Sequence, residues 1–171
     1  AKLAAKDKDD SVRAAAVVAR CALEPNDRAA ICAEAARHRS AEVRAAAALG
    51  ATPLDNTERR AVLAPLVQDD ARSVRWAVAD ALATQPDRGD VGVLVEMLGE
   101  EGSVRNAWHL TELLRRMSGL KHRNDPRPWI EWHAGLPEDW EPEDRSSDGD
   151  YGERSATLAG MPILSDRVCI L

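Results

Sequence analysis

Histidine and cysteine are the residue types here best able to hold a metal or attack an electrophile, and the chain has seven: His38, His109, His122, His133, Cys21, Cys32 and Cys169. A protein-borne metal site draws such residues from short spacings, as i and i+4 on a helix or Cys-x-x-Cys in a turn. No two of the seven stand at such a spacing. His109 falls within a helix and His38 at a helix–turn junction, so surface or interfacial imidazoles are expected. Cys21 and Cys32 fall on successive helices, where small buried hydrophobes are expected. Three cysteines are too few and too odd for a disulfide framework. Asp148-Gly149-Asp150 has a calcium-like look, but the twelve-residue loop spacing and flanking helices of an EF-hand are missing. There is no Gly-rich phosphate loop, no Gly-x-Ser-x-Gly elbow and no His-Glu-x-x-His. The sequence thus offers no catalytic residue, no cofactor-binding residue and no metal ligand, and a non-enzyme is expected.

The remaining chemistry lies in the arginines. Val-Arg occurs at Val12-Arg13, Val43-Arg44, Val74-Arg75 and Val104-Arg105, at intervals of 31, 31 and 30 residues. One arginine per repeat would make a basic row able to meet nucleic-acid phosphates. Charge balance argues against it. Residues 137–154 hold eight acids against Arg145 and Arg154, which accounts for the whole net charge of −6, so residues 1–136 carry equal numbers of each sign. Asp9, Asp10, Asp69, Asp70, Glu100 and Glu101 lie beside the arginines in sequence. A row neutralised in this way ties repeats together rather than binding DNA, so nucleic acid is an unlikely partner.

The same period governs the elements that position these residues. Ile31, Val62 and Val93 are 31 apart, as are Ala35, Leu66 and Met97, so each repeat holds two segments. Residues 71–84 place Val74, Ala77, Val78, Ala81 and Leu82 on one helical stripe, and residues 57–67 and 91–98 give shorter apolar faces. Pro25, Pro53 and Pro86 punctuate the segments, while Pro65 should kink or shorten its helix. Asp10, Ser40 and Asp70 are candidate N-caps for the Val-Arg helices. Alanine dominates those helices, favouring helix formation and close approach. Each pair is too thin to bury its own apolar face; stacked pairs share one core.

The tract Asp69 to Leu82 (Asp-Asp-x-x-Ser-Val-Arg-x-Ala-Val-x-x-Ala-Leu) and its shorter counterpart at Asp9 to Ala16 resemble the HEAT family in its short bacterial form, related to bilin-lyase-type repeats. The resemblance covers roughly residues 7–118. It implies an all-α, right-handed α-solenoid of about four helix pairs over residues 1–118, with the Val-Arg helices on one side and the shorter helices on the other. It also implies a non-catalytic scaffold whose partner is a protein held on the solenoid surface. The alternative is a nucleic-acid-binding module using Arg13, Arg44, Arg75 and Arg105, and a tetrapyrrole lyase rests on repeat kinship alone. The second repeat has Arg39-Ser40-Ala41-Glu42 where the family has an acid, which puts an Asp–Arg ladder in doubt at Arg44.

Beyond the repeats, residues 119–136 contain Asp125-Pro126, a well-formed helix start, followed by Trp129 and Trp132 on one face. A helix capping the last repeat is expected there, then an acidic linker over residues 137–155. Residues 156–171 end in the apolar run Val168-Cys169-Ile170-Leu171, which reads as a strand. Gly160 to Leu171 resembles the opening strand of a von Willebrand factor type A domain, which implies a divalent-cation loop further downstream than this sequence runs. The chain is therefore expected to be an excerpt of a larger protein, beginning within a helix at Ala1 to Lys6. No apolar run approaches a membrane span, and the charged first residues lack a signal-peptide core, so a cytoplasmic setting is favoured.

Overall fold

In the computed structural model, the described residues are 7–142 together with two short segments, Thr157–Leu158 and Met161–Pro162, which pair antiparallel. The expectations for Ala1 to Lys6, for most of the acidic stretch and for the run Val168 to Leu171 lie outside the described residues.

The described residues hold eight α-helices, seven from the repeat and one beyond it: α1 (Asp10–Leu23), α2 (Arg28–Ala35), α3 (Ala41–Ala51), α4 (Asn56–Leu63), α5 (Arg72–Leu82), α6 (Arg88–Glu100), α7 (Val104–Ser118) and α8 (Pro126–Ala134). Every odd-numbered helix starts with one device. A side chain two places before the N-cap accepts the N-cap's backbone N–H: Asp7 from Asp9, His38 Nδ1 from Ser40, Asp69 from Ala71 and Glu101 from Ser103, at 2.8–3.1 Å. Because that acceptor lies outside the helix, the cap position itself is free to be alanine. The N-caps are therefore Asp9 and Ala71, not Asp10 and Asp70, and Ser40 holds its cap position without a side-chain bond.

This device also fixes the register. Acceptors at 7, 38, 69 and 101 are 31, 31 and 32 residues apart, so Val104-Arg105 is not the fourth member of the Val-Arg series. Val43 and Val74, third after their caps, are buried; Asn106 takes that place in α7, while Val104 is 80% exposed. Asn106 bonds back to the Arg72 carbonyl and to Glu101, so a polar side chain fills the site at the last junction.

Odd helices pack on one another in the order α1, α3, α5, α7, and α2 packs on α4 and α6 on α8 behind them. One core runs between the two layers, from Val17 and Cys21 to Leu114 and Trp129. The described residues 7–142 thus form an all-α solenoid. Cys21 and Cys32 are buried free thiols with their sulfurs 3.3 Å apart, and burial raises the Cys32 thiol pKa. Gly50 makes room for both: a Cβ there would lie 2.8 Å from one sulfur and 3.0 Å from the other. Pro65 ends α4 at Leu63, and the chain continues as a 3-10 turn through Leu66. Gly119, at φ 69°, closes α7 in the left-handed conformation that glycine adopts without strain. Asp125 then caps α8, whose Trp129 is fully buried and donates its indole N–H to the Arg123 carbonyl. Trp140, placed in the linker by its sequence neighbours, packs edge-on against Trp132 with ring centroids 5.5 Å apart.

Candidate functional site: an apolar groove across the odd helices

The arginine row is largely spent on the stack. Arg44 forms a two-pronged bond to Asp69 at 2.6 and 2.8 Å, and Arg75 does the same to Glu101 at 2.8 and 2.7 Å. Each arginine reaches forward to the helix-start acid of the next repeat and also donates to carbonyls behind its own helix start. The ladder thus exists at Arg44, contrary to the sequence expectation, because its partner is the acid of the third repeat. The missing acid tells at Arg13 instead, which faces His38 at 3.5 Å and pairs within its own helix with Asp10. These contacts lower the acids' pKa values. For Asp69, burial pushes upward, but Arg44 and the Ala71 amide outweigh it; for Glu101 the Arg75 bond dominates. Arg105 lies outside the ladder, with its guanidinium over the Trp76 ring, 5.8 Å from the centroid.

Histidines are likewise dispersed. His109 stacks flat on Trp76 (3.7 Å, 8°) and its Nε2 meets Asp80 at 2.8 Å. His122 stands edge-on to Trp129, and His133 packs over Gly92. Among the described residues no three His, Cys, Asp or Glu side chains gather closely enough to hold a metal ion, and no described helix is long and apolar enough to cross a membrane.

One opening on the solenoid is a groove of about 520 Å³ across α1, α3 and α5. Its origin is visible when helices are aligned on their caps. Five residues after each cap stand Ala14, Ala45, Trp76 and Trp108; nine after, Val18, Leu49, Asp80 and Glu112. Alanines of α1 and α3 make a low floor, Val18 and Leu49 rise as an apolar ridge, and Trp76 closes one end as a wall. Leu49 is 59% exposed and Trp108, beyond the wall on α7, 55%. Large apolar side chains left in water in one neighbourhood mark a surface meant to be covered.

Sequence reasoning assigned no role to Trp76, Asp80 or Leu49. The signal was available in the 31-residue alignment, where a tryptophan follows two alanines at one position. At that position Ala14 and Ala45 sit half-buried at the edge of the core, whereas the larger Trp76 lines the groove.

On the opposite side, α4 and α6 are joined by polar groups that satisfy one another. Arg59, fully buried, donates to the Leu54 and Gln85 carbonyls, Asn56 and Asp90, with only its Nε lacking a partner. Arg60 bridges Asp87 and Asp90, and Asn56 donates to Asp87. Asp87 and Asp90 form a capping box at the start of α6. Burial acts to raise the Asp87 pKa, but Arg60, the Asp90 amide and Asn56 together hold it down to about 2.

A family model for HEAT repeats matches residues 28–113, from the start of α2 to within α7. No curated protein and no solved structure matches the chain. The matched span is just over half of the 171 residues and coincides with the helix pairs whose stacking and arginine ladder are described above; the chain belongs to the HEAT-repeat family.

Proposed function

We propose that this chain is a non-catalytic protein-interaction module that holds a partner against the α1–α3–α5 face. The observation that carries this is the groove itself: exposed Val18 and Leu49 rise beside a half-buried Trp76 over a largely covered alanine floor, whereas Arg13, Arg44 and Arg75 of the row that would serve a nucleic acid are paired with acids. HEAT solenoids are commonly interaction scaffolds, which agrees with a surface that leaves Val18 and Leu49 exposed.

A photo-crosslinking amino acid in place of Leu49 tests this directly. Exposed to extract from the source cell, it should give discrete protein adducts, while the same group at Arg127 on α8 should give none. Equal labelling at both positions, or none at Leu49, would overturn the assignment. The nucleic-acid alternative has one unladdered arginine in its favour, Arg105. DNA anisotropy separates the two: tight binding at about 50 mM salt that collapses by about 200 mM would support it.

A further inference from the structure

The groove limits what can fill it, on the reading that it is the docking surface. We propose that its occupant is a cationic amphipathic α-helix of about three to four turns, with bulky apolar side chains against Leu49 and Trp76 and a lysine or arginine on Asp80.

Three features point to this. The first is the scarcity of backbone partners. The groove is walled by helices whose own N–H and C=O groups are paired internally, and its polar side chains are Thr52, Asp80 and Thr84. Thr84 already donates its hydroxyl to the Asp80 carbonyl at 3.1 Å. An extended peptide would bring a row of unpaired backbone groups onto this surface; a helix satisfies its own. The second is size. Packed helices lie about 8–10 Å apart, so crossing three of them takes roughly 16–20 Å, or about 11–14 helical residues at 1.5 Å each. The alanine floor lets such a helix approach closely.

The third is charge. Asp80 is the one charged side chain lining the groove among the described residues, and it is half exposed. Its Oδ1 meets His109, and its Oδ2 has no described protein partner. An occupant carrying a cation one turn from its apolar anchor gains a partner there, and one carrying a carboxylate meets a like charge at the edge of an apolar surface.

The test uses two synthetic 14-residue helical peptides with one leucine face, flanked by lysine in the first and glutamate in the second. Both are titrated by anisotropy against wild type, Trp76→Ala, Asp80→Lys and Glu96→Lys. Glu96 is an exposed acid on α6, outside the groove, and controls for bulk charge. The lysine peptide should bind about fivefold or more tightly than the glutamate peptide. Trp76→Ala should weaken it about tenfold, Asp80→Lys should reverse the preference, and Glu96→Lys should leave it. Equal binding of the two peptides, or equal effects of Asp80→Lys and Glu96→Lys, would overturn the cationic helix while leaving the scaffold in place. Failure of both peptides to bind would overturn it as well. Crosslinks at Leu49 then show whether a partner of other chemistry uses the groove or the scaffold assignment falls too.

Discussion

The α3–α5 contact and the α4–α6 contact join the same two repeats with opposite chemistry. Between α4 and α6 the joint is polar and closed: Arg59 and Asp90 are fully buried, and Arg60, Asn56 and Asp87 complete the network. Between α3 and α5 the inward side is tightly packed alanine and valine, while the outward side is open apolar surface from Ala45 and Leu49 to Trp76. The difference shows how a thin repeat serves two ends. Geometric specificity of stacking is vested in charges on one layer and in the Arg44 and Arg75 rungs, so the outer face of the other layer is released from holding the fold.

The largest effect should come from the buried joint. Asp90→Ala strands Arg59 as an uncompensated buried cation, and urea unfolding should show a loss of about 3–5 kcal/mol. Binding at the groove should survive wherever the variant is folded. A loss below about 1 kcal/mol would mean the polar layer does not organise the stack.

Next come the rungs, which sharpen the contrast within one layer. Arg44→Ala removes a two-pronged bond to Asp69 and should cost about 1.5–3 kcal/mol, the range for hydrogen bonds to charged groups. Arg13→Ala, facing His38 instead of an acid, should cost under about 1 kcal/mol in the same urea titration. Equal losses would contradict the forward-pointing ladder.

Acid should act on the polar layer and on the rungs alike. The folded Asp87 pKa, about 2, lies below the value near 3.9 of an unfolded Asp. Its contribution to stability is therefore full above about pH 4 and is lost as pH falls through the folded value. Asp69 and Glu101 are shifted in the same direction. Urea midpoints should fall from pH 4 to pH 2, and Arg60→Ala should flatten that dependence by removing the cation that holds Asp87 down.

The smallest effect on stability belongs to the groove. Leu49→Ser, at an exposed site, should change the unfolding free energy by no more than about 0.5 kcal/mol while weakening capture at the groove. A large stability loss would show that the ridge is part of the core.

Much of this architecture was legible in sequence, because repeats impose the same burial on residues 31 apart: Val43 with Val74, Ile31 with Val62, Leu66 with Met97. The fourth Val-Arg pair misled for a physical reason. A dipeptide marks a helix position only in register with its cap, and Val104 stands first after Ser103 where Val43 and Val74 stand third after theirs, which turns Val104 into water and Arg105 onto Trp76. The ladder's direction was hidden too. Its partners lie 25 or 26 residues apart across two helices, a separation set by packing and invisible to local spacing. The groove was harder still, since alanine on an outer face and alanine in a core look alike until the helices are oriented.

Amide hydrogen exchange of the full chain with and without the lysine–leucine peptide tests the division between layers most directly. Slowed exchange confined to α1, α3 and α5 around Ala14, Leu49 and Trp76, with α2, α4 and α6 unchanged, is the predicted outcome. Protection centred on α4 and α6, with the odd helices unaffected, would contradict it.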